Sequence, residues 1–336
     1  MMAKTLSQFL TIFFLFFTLT LGVFQFVWVA PTARERDVTI GRGVPVYKIA
    51  QLLSDRQIIS SALLFRAVVR FKKADGALQA GVYRFSPHIS LAAVIDALKR
   101  GGRPLAAMLR IPEGSSSKEI ARVLEERMRI PEAEFLSLVR QPNAELRADF
   151  PWLPDAINRA GLEGYLFGDT YELLEESRAQ EVVQKMLRTF SKKALPVLLK
   201  IPKGYPLNLH ETLTLASIVE REVATWEDRR IVTDIFLRRL RYGMALQADS
   251  TVNYATGKNV SRASFTDLET PSAYNTYKVR GLPPGPISNP TVLTLWAVIQ
   301  PIANPYWYFL TDPEGHVYYS QTFAEHTQKK AAIYGR

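Results

Sequence analysis

The chain has 336 residues, a net charge of +10 and no cysteine. The lack of cysteine excludes a disulfide framework, a thiol nucleophile and thiolate metal sites. Four widely spaced histidines (His88, His210, His316, His326) show no HExxH or similar spacing, so no metal centre and no cofactor are expected.

From the amino terminus, residues 5–33 carry no charged side chain, and Phe9 to Ala30 is predominantly apolar and rich in phenylalanine. A helix needs about 20 such residues to cross the hydrocarbon layer of a bilayer. A cleavable signal peptide is the rival reading, but its apolar region is usually about 7 to 15 residues long. The longer run, ending Trp28-Val29-Ala30-Pro31, favours an uncleaved transmembrane anchor at 9–30, with residues 1–8 before it and the bulk of the chain beyond it. The flanking charges, Lys4 against Arg34, Glu35 and Arg36, barely decide its orientation.

After the anchor, a gapless internal repeat aligns Val38–Ile59 with Leu109–Ile130, with identities at Ile40/Ile111, Gly43/Gly114, Ile49/Ile120, Ala50/Ala121, Leu53/Leu124, Arg56/Arg127 and Ile59/Ile130. Each copy reads as a short strand, a glycine turn and an amphipathic helix. In the first copy a second helix (about 60–71) and a returning strand, Gly81–Phe85, complete a strand-helix-helix-strand unit. This unit resembles the LysM glycan-binding module, and a generic α/β scaffold has the same pattern. A helix over 90–99 stops at Gly101-Gly102. Residues 131–199 read as helical, broken by prolines and by Gly161–Tyr171. Helices follow at about 209–224 and 228–242, then polar loops to Pro290, a helix at 291–300, and a hairpin of Tyr306–Leu310 and Val317–Tyr319 around Asp312–Gly315. The fold class is α+β: an anchor, a LysM-like subdomain over 31–105 and a mixed α+β catalytic domain over 106–336.

The basic balance admits nucleic acid, an anionic membrane surface or an acidic polymer, beside a plainly solvated surface. Lysine and arginine are scattered without a dense tract, which weighs against nucleic acid. A peptide-bearing, carboxylate-rich glycan would suit such a surface.

The segment Leu213–Ala224 carries the chemistry. On a helical wheel Glu220 falls among Leu213, Ala216, Val223 and Ala224, within the apolar arc; Glu222 lies at its margin and Arg221 points away. A carboxyl group on a buried face is either paired or takes up a proton. Glu220 is therefore either a general acid, or the partner of an arginine on the next helix such as Arg229 or Arg239. Downstream, Gln247, Asp249, Tyr254, Tyr274, Asn275 and Tyr277 supply amides, a carboxylate and aromatic rings able to hold a sugar. Arg280–Pro290 reads as a stiff Pro/Gly loop.

Together, Leu215–Glu222, Leu246–Tyr254, Glu269–Tyr277 and Gly281–Ile287, with Ile111–Gly114, Leu162–Phe167 and Asp169–Tyr171, resemble the MltG (YceG-like) endolytic murein transglycosylases over nearly the whole chain. The resemblance implies that Glu220 is the catalytic glutamate, acting on MurNAc-β-1,4-GlcNAc bonds of nascent peptidoglycan. It implies 1,6-anhydro-MurNAc products and shorter glycan strands. It also implies a single-pass inner-membrane protein, amino terminus cytoplasmic and catalytic domain periplasmic, working beside peptidoglycan synthases and elongation or division machinery. Gln247, Asp249, Tyr254, Tyr274, Asn275 and Tyr277 become candidates for orienting the sugar, with Glu222 and His326 as weaker ones. Two positions depart from the family's usual proline: Gly168 in Leu166-Phe167-Gly168-Asp169, and Ser250 after Asp249. Both are expected to loosen a backbone without removing a reactive group.

Overall fold

The computed structural model describes residues 34–103, 106–174, 177–258, 260 and 263–335. The apolar run at 9–30, expected as an anchor, lies outside them. Among the described residues no helix is long and apolar enough to cross a membrane. The chain divides into two compact units, one ending at Ala107 and the other beginning at Met108.

In the first unit β1 (Arg36–Ile40) leads to α1 (Val46–Asp55) and α2 (Ala62–Phe71), and β2 (Gly81–Phe85) returns antiparallel to β1; α3 (Leu91–Arg100) follows. Alternation sets the sheet faces: Val38 and Ile40 on β1 and Tyr83 and Phe85 on β2 turn inward, onto Ile49, Leu53, Phe65, Val69, Val94 and Leu98 of the helices. Ser61 and Ser90 cap the second and third helices through Leu64 N–H and Ala93 N–H. Gly102 lies against the Val82 carbonyl, where an added Cβ would stand 2.6 Å away, so only glycine permits that approach.

β3 (Ala106–Arg110) carries the chain into the second unit. There follow α4 (Ser117–Met128), α5 (Glu132–Arg140), α6 (Ala144–Asp149), α7 (Ile157–Ala160), β4 (Thr170–Leu174), α8 (Ala179–Lys193) and α9 (Leu195–Leu198). Then come α10 (Leu209–Glu222), α11 (Trp226–Arg241), α12 (Asp249–Thr256), α13 (Phe265–Leu268), α14 (Val292–Ile299), β5 (Tyr308–Thr311), β6 (Val317–Ser320) and α15 (Phe323–Tyr334). The sheets β3–β4 and β5–β6 are small, and the core is helical. The central helix is α10. A capping box between Asn208 and Glu211 starts it, and His210 and residues Thr212 to Val219 are buried between α11, α14 and the surrounding loops.

The stretch from Gly243 to Pro290, read as polar loop, contains α12 and α13. Thr251, Asn253 and Thr256 make α12 a poor helix on propensity. It is held by tertiary bonds instead: Thr251 Oγ1 meets Thr276 Oγ1 at 2.8 Å, and Ala248 N–H donates to Thr276 Oγ1 at 3.1 Å.

Candidate active site

The segments singled out from sequence converge on the carboxyl end of α10. Asn289 is the tie. Its side chain accepts from Leu166 N–H (2.7 Å) and donates to the Ser115 carbonyl (2.8 Å) and Glu163 (3.1 Å), while its carbonyl accepts from Gly114 N–H (2.9 Å). Ile287 N–H and the Ser288 hydroxyl bond Ser217 on α10. The Pro/Gly loop, the 111–114 turn and the 162–167 turn are thereby fixed around one helix end.

Glu220 and Glu222 both lie there, in different surroundings. The Glu220 side chain is 8% exposed and pairs with Arg229 Nη2 at 3.0 Å. Its other oxygen accepts Thr291 N–H (2.9 Å), Thr291 Oγ1 (2.9 Å) and the Thr294 hydroxyl. A Cβ on Gly114 would stand 3.3 Å from Glu220 Cγ, so the 111–114 turn closes over it. Of the two possibilities left by the helical wheel, the structure shows the ion pair, with Arg229.

Glu222 instead lines a cleft of about 1440 Å³. Ser250 donates to one of its oxygens twice, from Oγ at 2.6 Å and from N–H at 3.3 Å. Oε2 has no protein partner among the described residues. Burial pushes the Glu222 carboxyl up to about 7; the Asp249 charge adds to the rise, while Ser250 and Arg239 oppose it. Its place as the last residue of α10, at the negative end of the helix dipole, acts in the same direction as burial.

Among the sugar-holding candidates, Gln247, Asp249, Tyr254, Tyr277 and His326 line the cleft with Glu222. Tyr277 Oη donates to Asp249 Oδ1 at 2.6 Å. Gln247 has a left-handed backbone, φ 52°, a strained state for a residue with a Cβ, and its N–H bonds the Thr276 carbonyl. His326 stacks on Tyr308 at 5.4 Å, and burial with nearby cations lowers its pKa. Its Nδ1, like Asn253 Oδ1, is a buried polar atom with no partner among the described residues.

Tyr274 and Asn275 do not line the cleft. Asn275 is fully buried and pins the 268–277 loop, donating to the carbonyls of Leu268 and Thr270 (both 2.9 Å) and accepting from Tyr277 N–H (3.0 Å). Tyr274 packs on Tyr254 with ring centres 4.9 Å apart.

Glu163, which sequence reasoning passed over, completes the site with Arg239, Ser250 and Gly168, to which it gave other roles. Glu163, 2% exposed, takes Ser117 N–H and Oγ at the start of α4, Asn289 Nδ2, and Tyr254 Oη at 3.3 Å; burial pushes it to about 7. A lone acid inside the apolar run from Leu162 to Phe167 was the available signal. Arg239, 5% exposed beside Glu222, donates to the carbonyls of Leu246 (2.6 Å) and Trp307 (2.7 Å), holding both cleft walls. Ser250 does more than loosen a backbone: proline in its place would lose both donors to Glu222. Gly168 packs on residues 112–113, where a Cβ would stand 2.7 Å from the Glu113 Cα. No cluster of metal-ligating side chains occurs among the described residues.

A sequence model of the YceG-like family matches residues 38–332. The chain belongs to the YceG-like family. Among its relatives, the endolytic murein transglycosylase of Bacillus subtilis strain 168 is 30% identical, over 89% of this chain and 86% of its own. The endolytic murein transglycosylase of Streptococcus pneumoniae serotype 2 is also 30% identical, over 88% of this chain and 58% of its own length. A crystal structure of a yceG-like protein from Listeria monocytogenes superposes with a TM-score of 0.59 at 31% identity, covering 89% of this chain and all of that one. A family member thus carries the cleft, and the name of its curated relatives bears on what the cleft does.

Proposed function

We propose that this chain is an endolytic murein transglycosylase whose acid and base is Glu222, in place of the Glu220 implied by the sequence resemblance. The observation that carries the reading is the contrast within α10. Glu220 is sealed in an ion pair with every oxygen occupied, whereas Glu222 faces the cleft with a carboxyl held near 7 and one oxygen uncommitted. A carboxyl of that pKa is protonated often enough at neutral pH to act as an acid, and basic enough afterwards to accept a proton.

In this reading Glu222 Oε2 gives its proton to the glycosidic oxygen between MurNAc and GlcNAc as the C1–O bond breaks. The resulting carboxylate then removes the proton from the C6 hydroxyl of the same MurNAc. O6 closes on C1, forming the 1,6-anhydro ring and returning Glu222 to its protonated form. Protons balance and no water is consumed. Ser250 holds Oε1, which leaves Oε2 to carry the proton. Asp249, oriented by Tyr277, faces the oxocarbenium-like sugar with negative charge; Tyr254 and His326 offer ring faces and Gln247 an amide to the flanking sugars.

Asp249 also supports a second reading. Two carboxyl groups in one cleft suit a hydrolase in which the second activates water. Mass spectrometry of products from defined glycan strands decides: an anhydro end is lighter by one water than a reducing MurNAc end. Anhydro ends support the transglycosylase, and hydrated ends alone support the muramidase.

The apolar run at 9–30 fits an anchor that keeps the catalytic unit outside the inner membrane, within reach of nascent strands. There the enzyme would end strand elongation beside peptidoglycan synthases, and the first unit, LysM-like in its order of elements, would bind glycan.

A further inference from the structure

The cleft is asymmetric in charge. The acids that line it are committed or lie at its reaction centre. Glu119 is held by Arg221 and the Ser116 N-cap, and Asp312 by His316 and Tyr318. Glu222 and Asp249 are the reacting groups. Three of the cleft cations are likewise engaged: Arg221 holds Glu119, Lys258 pairs with Asp267 at 2.5 Å, and Arg239 serves backbone carbonyls. Lys118 and Arg122 on α4, Arg140 on α5 and Lys330 on α15 also line the cleft, are exposed, and form no ion pair among the described residues.

Three of these four are on one wall. Lys118 and Arg122 are four residues apart, on one face of α4, about 6 Å apart along the axis. The same spacing puts Leu136 and Arg140 on the cleft side of α5, which packs against α4. Lys118 Nζ lies against Gly257, where a Cβ would come within 2.9 Å, so the α12 end leaves room for the ammonium group. Stripped of its peptides, a GlcNAc–MurNAc chain keeps a single lactyl carboxylate on each MurNAc, close to the sugar ring. An attached peptide turns that carboxylate into an amide and carries several free carboxylates further from the ring, where the wall can reach them.

We propose that the α4–α5 wall, through Lys118, Arg122 and Arg140, binds the peptide carboxylates of the glycan and makes the enzyme selective for peptide-bearing over denuded strands. This rests on the transglycosylase reading and adds a substrate class to it. Exposed ion pairs are individually weak and screened by salt, so two or three together give a preference of roughly three- to tenfold in kcat/KM at low ionic strength.

The test is a ratio. The full chain in detergent digests strands of equal length in three forms: intact, stripped of peptide by an amidase, and intact with the peptide carboxylates converted to amides. Wild type should prefer the intact set to both of the others. In K118A/R122A the ratio should fall toward one, and in K118E/R122E below one. Because the ratio is taken within each variant, a loss of folded protein affects both terms equally. A double variant that keeps the wild-type ratio, a wild type without preference, or amidated strands cut as well as intact ones would overturn the proposal. If wild type cuts no strand at all, the transglycosylase reading fails instead. The same ratio, read as Kd for the intact and stripped strands, then decides the wall's role by itself.

Discussion

Glu220 and Glu222 stand two residues apart at the end of α10, and their carboxyl groups face opposite surroundings: Glu220 an ion pair with Arg229, Glu222 the cleft and the Ser250 hydroxyl. The same residue type serves the frame in one position and faces substrate space in the other. The difference can be measured.

Removing one partner of a buried ion pair leaves the other charge uncompensated. Glu220→Ala should therefore cost about 3 kcal/mol or more in unfolding free energy, because Arg229 would remain 8% exposed without its carboxylate. Urea unfolding of the purified variant checks this. A cost below about 1 kcal/mol, the range of exposed pairs, would contradict it.

Stability should also report on Glu222. A carboxyl whose folded pKa is raised from 4.5 to about 7 favours the folded state while protonated, and that contribution is lost as pH rises through this window. Glu163 behaves alike. Wild-type stability should fall between about pH 5 and pH 8, and Glu222→Gln should fall less steeply. Thermal melts across that range, wild type beside variant, give the comparison; parallel curves would argue against a raised Glu222.

The activity profile follows from the same group. If protonated Glu222 is the acid, kcat/KM should decline on the alkaline side near pH 7. Ser250→Ala removes a donor that stabilises the carboxylate, so its alkaline limb should move to higher pH. A purely structural Ser250 would lower the rate without moving the limb. Ser250→Pro, losing both donors, should move it at least as far.

Tyr277 acts through Asp249. Tyr277→Phe removes the 2.6 Å bond and frees Asp249 to turn, which should lower kcat about tenfold with KM little changed. An unchanged kcat would remove Asp249 from the reaction centre.

Much of this site was legible in the sequence, and the failures have physical causes. The apolar arc of the 209–224 helix places α10, and the Asp312–Gly315 turn between two aromatic runs places the hairpin β5–β6. The motif segments do converge. The helical wheel correctly put Glu220 on a buried side, but α10 is surrounded nearly all round, so burial could not tell frame from cleft. The cleft opens only at the helix's last turn, where Glu222 meets the α12 start. That meeting depends on Thr251 of α12 docking on Thr276 of the 268–277 loop, a contact no local pattern announces. Asn275 looked like a sugar ligand because a carboxamide can serve either role; three backbone bonds engage it as a loop pin. Glu163 was hidden inside Leu162–Phe167, a segment read only as a helix break and a family motif.

The most direct measurement compares Glu222→Gln and Glu220→Gln with wild type on defined peptidoglycan strands, with product masses and a melt of each protein. The account predicts that Glu222→Gln melts like a folded protein and releases no anhydro-muropeptides, while Glu220→Gln is less stable yet still cuts. A folded Glu222→Gln that releases anhydro ends at the wild-type rate, with a folded Glu220→Gln that does not, would contradict it.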